Sequence, residues 1–194
     1  RANKDFQDAL LAEGIHIYMP TTQEWNRNEQ QQLKEVSIED LLPRDEISID
    51  MESVGSMLHG KRILITGSAG SIGSEMVRQI AKYSPAELIL IDSAETPQHD
   101  IRLMMAKQFP DIKAETIVTT ICSKSRMEHI FKTYLPDYVF HAAAYKHVPM
   151  MENNPCESIQ NNVYGTKILA DLAVKYGVKK FVMISTDKAV NPTN

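Results

Sequence analysis

The sequence predicts an α/β fold built on a doubly wound parallel sheet. Three observations carry that expectation. From Lys61 onward, short runs rich in β-branched residues alternate with helical stretches. The runs are apolar on both faces, as strands covered on both sides by helices must be. The first run ends in Gly67, Gly70 and Gly73, spaced every third residue between a strand and a helix.

The elements follow in order. Arg62–Ile65 is the first strand and Ser71–Tyr83 the helix after it. Glu87–Ile91 and Pro97–Phe109 form the second strand and helix. Lys113–Ile121 contains the third strand, and Ser125–Tyr134 is helical. Tyr138–His141 is the fourth strand, Cys156–Tyr176 a long helix stopped near Gly177, and Lys180–Ser185 the fifth strand. The sheet is therefore expected to be cut short after its fifth strand, with an N-terminal extension in front of it.

Residues 1–50 read as the tail of an upstream domain plus a linker, and 51–194 as a dinucleotide-binding domain incomplete at its C-terminus. Within the extension, Phe6, Ala9, Leu10 and Leu11 place a helix over Asp5–Ala12, stopped by Gly14, with a strand at Ile15–Met19. Such a pair cannot bury a core alone. Asn26–Glu35 is polar and Gln-rich and reads as a loop. Val36–Asp50 reads as a surface-packed linker, and Ser53–Leu58 as a short helix leading into the main domain.

Composition narrows the function classes. The chain has 194 residues, 43% hydrophobic and 24% charged, as an ordinary globular protein has. Its net charge of -4 is spread along the chain and gives no reason to invoke nucleic acid. Cys122 and Cys156 lack metal-ligand spacing, so no metal site is expected and both read as reduced thiols. No apolar run approaches the roughly 20 residues that span a bilayer, and no signal peptide opens the chain. The first residue is Arg1 rather than Met, so an upstream segment is expected in the parent protein.

Three segments carry chemistry. In Gly67-Ser68-Ala69-Gly70-Ser71-Ile72-Gly73 the first glycine allows a tight turn. The second lets backbone approach phosphate, and the third lets the helix pack closely on the strand. A pyrophosphate would then sit on the helix N-terminus, where free amides and the helix dipole favour negative charge. Gly67, Ser68, Gly70, Ser71, Ile72 and Gly73 are accordingly candidate cofactor-binding residues. The spacing is G-x-x-G-x-x-G rather than the commoner G-x-G-x-x-G. Asp92, at the end of the second strand, is placed to accept from adenosine ribose hydroxyls, or else caps the next turn. A carboxylate there repels a 2′-phosphate, which favours NAD, with NADP as the alternative.

Ala142, Ala143 and Ala144 leave the fourth strand and would let backbone lie against a flat cofactor, or pack tightly, or both. Lys146 and His147 follow at the sheet edge where such folds place ligands, and are candidate substrate-binding residues. His141 reads as a satisfied core histidine. Ser185-Thr186-Asp187-Lys188 leaves the fifth strand at the same edge. Asp187 beside Lys188 can be tuned for proton transfer, or be a surface ion pair. Ser185 is a candidate cofactor contact, and Asn191 and Asn194, in an Asn-Pro-Thr-Asn turn, are candidates for binding polar ligand groups.

Together these segments resemble the extended short-chain dehydrogenase/reductase superfamily. More narrowly they are similar to its membrane-anchored polysaccharide-biosynthesis branch, the UDP-N-acetylglucosamine 4,6-dehydratases. The resemblance rests on the glycine loop, on His141–Pro149 with Met151-Glu152 and Asn154-Pro155, on Asn162-Val163-Tyr164-Gly165-Thr166, and on Ser185–Asn194. Val36-Ser37-Ile38-Glu39-Asp40-Leu41-Leu42 is similar to the family's link from an upstream domain. The resemblance implies a Rossmann-like fold, a tightly held NAD(P), and a UDP-N-acetylhexosamine substrate. It implies conversion of UDP-N-acetylglucosamine to a 4-keto-6-deoxy sugar for capsular or surface polysaccharide. It makes Asp187 the acid at the C6 hydroxyl, Lys188 the base at C5, and Thr186 a hydrogen-bonding group near C4. It also implies a parent anchored at the cytoplasmic face of the inner membrane through an upstream segment, the present piece being soluble. The long helix Cys156–Tyr176 is the candidate surface for pairing into a homo-oligomer, or else its apolar face is simply core.

Two departures accompany the resemblance. The family's Tyr- or Met-x-x-x-Lys helix would follow Asn194, so the 194-residue piece is expected to lack turnover. An aspartate that contacts adenine in the family is replaced here by Thr120-Ile121-Cys122-Ser123. A C4 epimerase and a non-catalytic dinucleotide-binding module are the competing readings.

Overall fold

A computed structural model describes residues 18–20, 33–35 and 50–185. The chain divides into two units, residues 1–49 and 50–194. In the first, β1 (Tyr18–Pro20) pairs antiparallel with β2 (Leu33–Glu35), Met19 standing opposite Lys34. The polar stretch expected to be all loop thus ends in a strand, because backbone pairing satisfies amides whatever the side chains are. The expected helix at 5–12 and the linker at 36–49 lie outside the described residues.

The second unit begins with α1 (Met51–Leu58). It starts two residues earlier than Ser53 because Asp50 caps it, accepting from the Glu52 and Ser53 amides at 3.1 Å each. Then follow β3 (Arg62–Thr66), α2 (Ser71–Ala81), β4 (Glu87–Asp92), α3 (Glu95–Gln108) and β5 (Ala114–Val118). The second half holds α4 (Lys124–Tyr134), β6 (Tyr138–His141), α5 (Val148–Glu152), α6 (Pro155–Ile159), α7 (Thr166–Lys175) and β7 (Lys180–Met183). A π-helical turn, Gln160–Gly165, joins α6 to α7. Helix α3 starts at Glu95 rather than Pro97, since a proline in the first turn removes only an amide that has no helical acceptor. The five-residue α5 escaped the sequence reading.

The five strands are all parallel, in the order β5-β4-β3-β6-β7. The chain builds outward from β3 to β5, then crosses back to β6 on the other side. This is the doubly wound, Rossmann-like sheet expected, and the order in which its strands are added reverses between β3 and β6. Successive strand residues face opposite sides. Leu64, Ile89, Ile91 and Val139 pack with Met127, Ile130 and Phe131 of α4 and with Ile168, Leu169 and Leu172 of α7. Ile63, Ile65, Leu88 and Leu90 pack on the other face with Val77 and Ile80 of α2 and with Ile101 and Met105 of α3. Each such fully buried side chain stabilises the fold by about 1.5–3 kcal/mol.

One polar group ties these layers together. His141 is buried at the end of β6; its Nδ1 lies 2.7 Å from Thr66 Oγ1 on β3, and its Nε2 2.8 Å from Thr166 Oγ1 on α7. A neutral imidazole has one donor and one acceptor nitrogen, so one threonine accepts and the other donates. Burial pulls the imidazole down to about 4 from its ordinary 6.5. Between those values the unfolded chain holds a proton that the native one does not, so stability falls as pH drops through that window. The full window corresponds to about 3 kcal/mol. Urea titrations at pH 7 and pH 4.5 should show this acid loss, and His141→Gln should flatten the slope while lowering stability at pH 7. An unchanged slope in His141→Gln would contradict it.

Candidate functional site

The carboxyl ends of β3, β4, β5 and β6 surround a cleft of about 500 Å³. It opens where the strand order reverses, the position at which open α/β sheets bind ligands. Gly67, Ala69 and Gly70 form its floor after β3. Asp92, Ser93 and Ala94 come from the end of β4, with Pro97 behind them. Thr119, Thr120 and Ile121 follow β5. Ala142 through Tyr145, with His147, follow β6, and Asn161 projects from the π turn.

The three glycines have different causes. Gly67 adopts φ +69, and a Cβ there would meet the Ala142 carbonyl carbon at 2.7 Å. A Cβ on Gly73 would lie 1.8 Å from the Gly67 carbonyl oxygen, so only glycine lets α2 approach the turn. Gly70 is different: it is exposed, has φ -70 and ψ 167, and a Cβ would meet only the Gly67 oxygen, at 3.3 Å. Its missing side chain leaves the mouth of the cleft open. Among the described residues no side chain caps α2. The amides of Ser71, Ile72 and Gly73, in the first turn, therefore have no helical acceptor. That is an anion site in waiting, formed by amides and the positive end of the dipole.

Other amides of the loop are already used. Ser68 N–H donates to Ile91 O at 3.1 Å and Gly70 N–H to Gly67 O at 3.1 Å. The Ser68 hydroxyl is fully buried and donates to Gln98 Oε1 at 2.9 Å, while Gln98 Nε2 donates to Leu90 O at 2.7 Å. Ser68 thus faces the core, not the cleft, and braces α3 against the glycine turn. Sequence alone gave it the same standing as its neighbours, because burial is not visible in a loop of small residues.

Asp92 does two structural jobs. Its Oδ2 accepts the Ala69 amide at 3.0 Å and its Oδ1 the Ala94 amide at 2.9 Å. It therefore caps the turn after β4 and also fastens the glycine loop to that strand. Each carboxylate oxygen keeps a lone pair, and the residue lines the cleft. The alanines after β6 pack tightly and also border the cleft. Ala142 lies against Gly67, its amide donating to Thr66 O at 3.0 Å, and all three line the cleft.

Other candidates are dispersed. His147 lines the cleft, whereas Lys146 opens into a neighbouring groove with Val148, Met151 and Ile159. Ile72 and Ser71 are exposed at the start of α2. Ser185 is exposed just past β7, which pairs parallel with β6, so the chain leaves at the same sheet edge as the glycine loop. Thr186, Asp187, Lys188, Asn191 and Asn194 lie outside the described residues. Among the described residues no group of His, Cys, Asp and Glu is arranged to hold a metal. None of their helices is long and apolar enough to cross a membrane. Asn161 and Asn162 were missed as site residues; the available signal was two adjacent amides of modest helix propensity inside a long helical stretch.

Residues 63–194 match the model of the family described as "Polysaccharide biosynthesis protein". The chain belongs to that family. It is 42% identical over 186 residues to the capsular polysaccharide biosynthesis protein CapD of Staphylococcus aureus, covering 94% of this chain and 31% of CapD. It is 36% identical over 139 residues to a UDP-N-acetylglucosamine 4,6-dehydratase (inverting) of Campylobacter jejuni, covering 71% of this chain and 40% of that enzyme. The chain thus spans less than half the length of these relatives. Among solved structures, it is similar to the Thermotoga maritima UDP-glucose 4-epimerase with UDP-glucose, at 30% identity and a TM-score of 0.56 over 66% of this chain and 38% of that one. It is also similar to the Bordetella bronchiseptica enzyme WbmG in complex with NAD, at 27% identity and a TM-score of 0.55, again over 66% and 38%.

The glycine geometry yields a paired expectation. Gly73→Ala should destabilise the protein by about 3 kcal/mol or more, because helix or turn must move. Gly70→Ala should change stability by less than about 0.5 kcal/mol, since alanine accepts that backbone conformation. Denaturant midpoints of the two variants decide it. Equal effects would refute the division of roles.

Proposed function

We propose that this polysaccharide biosynthesis protein is the dinucleotide-binding part of a nucleotide-sugar 4,6-dehydratase. It would convert UDP-N-acetylglucosamine to a UDP-4-keto-6-deoxy-N-acetylhexosamine for a capsular or surface polysaccharide. The observation that carries the reading is the cleft itself. Gly67, Gly70 and Asp92 line it, and the adjoining first turn of α2 carries three amides without helical acceptors, next to a glycine that leaves room for a diphosphate. The identity to the Campylobacter dehydratase and to CapD supports the finer assignment.

The residues present fit NAD. The amides of Ser71, Ile72 and Gly73 would hold its diphosphate, and Asp92 its adenosine ribose hydroxyls. The orientation of Asp92 is already fixed by the Ala69 and Ala94 amides. Its negative charge disfavours the 2′-phosphate of NADP. The alanines after β6 would lie along the far half of the dinucleotide. The adenine would rest near Thr119 and Thr120, neutral groups in place of an acid.

When bound, NAD would accept a hydride from C4 of the sugar and later return it at C6. The chain's own groups would move the protons. Thr186 would hydrogen-bond the oxygen at C4, whose hydroxyl proton would leave to solvent as the hydride departs. The ketone formed there acidifies the C5 proton, which Lys188 would remove, returning a solvent-exchanged proton to C5 when hydride comes back at C6. Asp187 would give a proton to the departing C6 hydroxyl, so that water leaves across C5–C6. His147, at the rim of the cleft, and Lys146, in the next groove, would contact the substrate. Asn191 and Asn194 would hold its polar groups, and Ser185 the cofactor.

A second reading, a C4 epimerase, is favoured by the likeness to the Thermotoga epimerase. The two reactions part at C5. In deuterium oxide, the full-length protein should yield a 4-keto product deuterated at C5. Lys188→Ala should lower the rate at least about 100-fold, the usual scale for losing a general base. A product epimerised at C4 without C5 deuterium would establish the epimerase instead, and full activity in Lys188→Ala would exclude the assigned base.

A further inference from the structure

The π turn at Gln160–Gly165 interrupts what would otherwise be one helix from Pro155 to Lys175. Such turns insert a residue into the helix and re-aim the side chains around it. Two side chains point from it to the loop leaving β6. Asn162 Oδ1 accepts the Tyr145 amide at 2.9 Å, and Asn162 Nδ2 donates to the Tyr145 carbonyl at 2.8 Å. The side-chain amide thus pairs with both backbone groups of one residue, as a neighbouring strand would. Asn161 Nδ2 donates to Asn162 Oδ1 at 3.0 Å, fixing which end of the Asn162 amide is the acceptor.

The turn is itself anchored from below. The Cys122 thiol donates to the Gln160 carbonyl at 3.3 Å. A Cβ on Gly165 would come within 2.7 Å of the Ile121 side chain, so the segment after β5 and the π turn are in close contact. The loop being clamped is one wall of the cleft: Ala143, Ala144 and Tyr145 all line it. In that loop Tyr145 is half exposed, and no strand among the described residues pairs with it. Asn162 supplies the pairing that a strand would give.

We propose that Asn162 is a positioning residue: it clamps the loop leaving β6 through the Tyr145 backbone, and so shapes the half of the cleft opposite Asp92. The inference rests on the dinucleotide reading, because the wall it fixes is the one a dinucleotide's second half would meet. It predicts a division by ligand size. ADP occupies the floor and the Asp92 side, which Asn162 does not touch. NAD spans both halves.

The test uses the full-length protein, with Asn162→Ala and Asn162→Asp. Asp keeps the acceptor for the Tyr145 amide and loses the donor to its carbonyl. NAD affinity, by calorimetry, should fall about tenfold in Asn162→Ala, as two hydrogen bonds of ordinary strength are lost with the ordering they supply. ADP affinity should stay within about twofold. Amide hydrogen exchange at Tyr145 should rise in Asn162→Ala and stay closer to wild type in Asn162→Asp. Unchanged exchange at Tyr145, unchanged NAD affinity, or an equal loss for ADP and NAD would each overturn the clamp, the last by marking a general lesion of the fold. If the unsubstituted protein bound neither nucleotide, the dinucleotide reading would fall and the proposed role with it, even were the exchange at Tyr145 to rise.

Discussion

The approach of α2 to the turn after β3 is the constraint on which the rest depends. With Gly67 at positive φ and Gly73 directly over its carbonyl, strand, turn and helix form one unit that tolerates no side chain at either position. That closeness sets the first turn of α2 beside the cleft-lining Gly67 and Gly70, and among the described residues no side chain caps it. It also brings the turn against Ala142 at the exit of β6, so the place where the chain crosses back is set by the same contact. The sheet supplies rigidity beneath: residues 63 to 65 are wholly buried and each face of β3 packs on helices.

Around this unit the structure spends polar groups on position. Asp92 holds the glycine loop from the β4 side, Ser68 and Gln98 brace it from α3, and His141 joins β3, β6 and α7. None of these is an exposed ion pair, which would contribute little. They are buried or half-buried hydrogen bonds, whose loss would leave unsatisfied groups and cost more than their net worth. Asn162 extends the same device to the loop after β6, which no strand among the described residues pairs with. A site that must present backbone to a ligand cannot rely on its own side chains to hold the loops, so partners reach in from neighbouring elements.

Much of this was legible in the sequence, for identifiable reasons. The strands were visible because a parallel sheet covered on both faces needs unbroken apolar runs such as Ile63-Leu64-Ile65 and Leu88-Ile89-Leu90-Ile91. The glycine loop was visible because its spacing has a steric cause. His141 reads as a core residue in sequence and is one. What could not be read was direction. Nothing in Ser68 says that its hydroxyl turns inward, and nothing in Cys156–Tyr176 says that the helix widens by a π turn at 160. Both are decided by contacts with residues distant in the chain, Gln98 in one case and Ile121 with Cys122 in the other. Pro97 misled as a helix start because a proline fits equally well later in the first turn.

The central claim is that the start of α2 is an anion site serving a nucleotide. The most direct measurement is a titration of the ¹⁵N-labelled protein with ADP, following backbone amide resonances. The account predicts that the amides of Ser71, Ile72 and Gly73 shift most, together with those around Asp92, and that inorganic phosphate shifts the first three alone. Saturable shifts centred on another edge of the sheet, with the α2 amides unmoved, would contradict it.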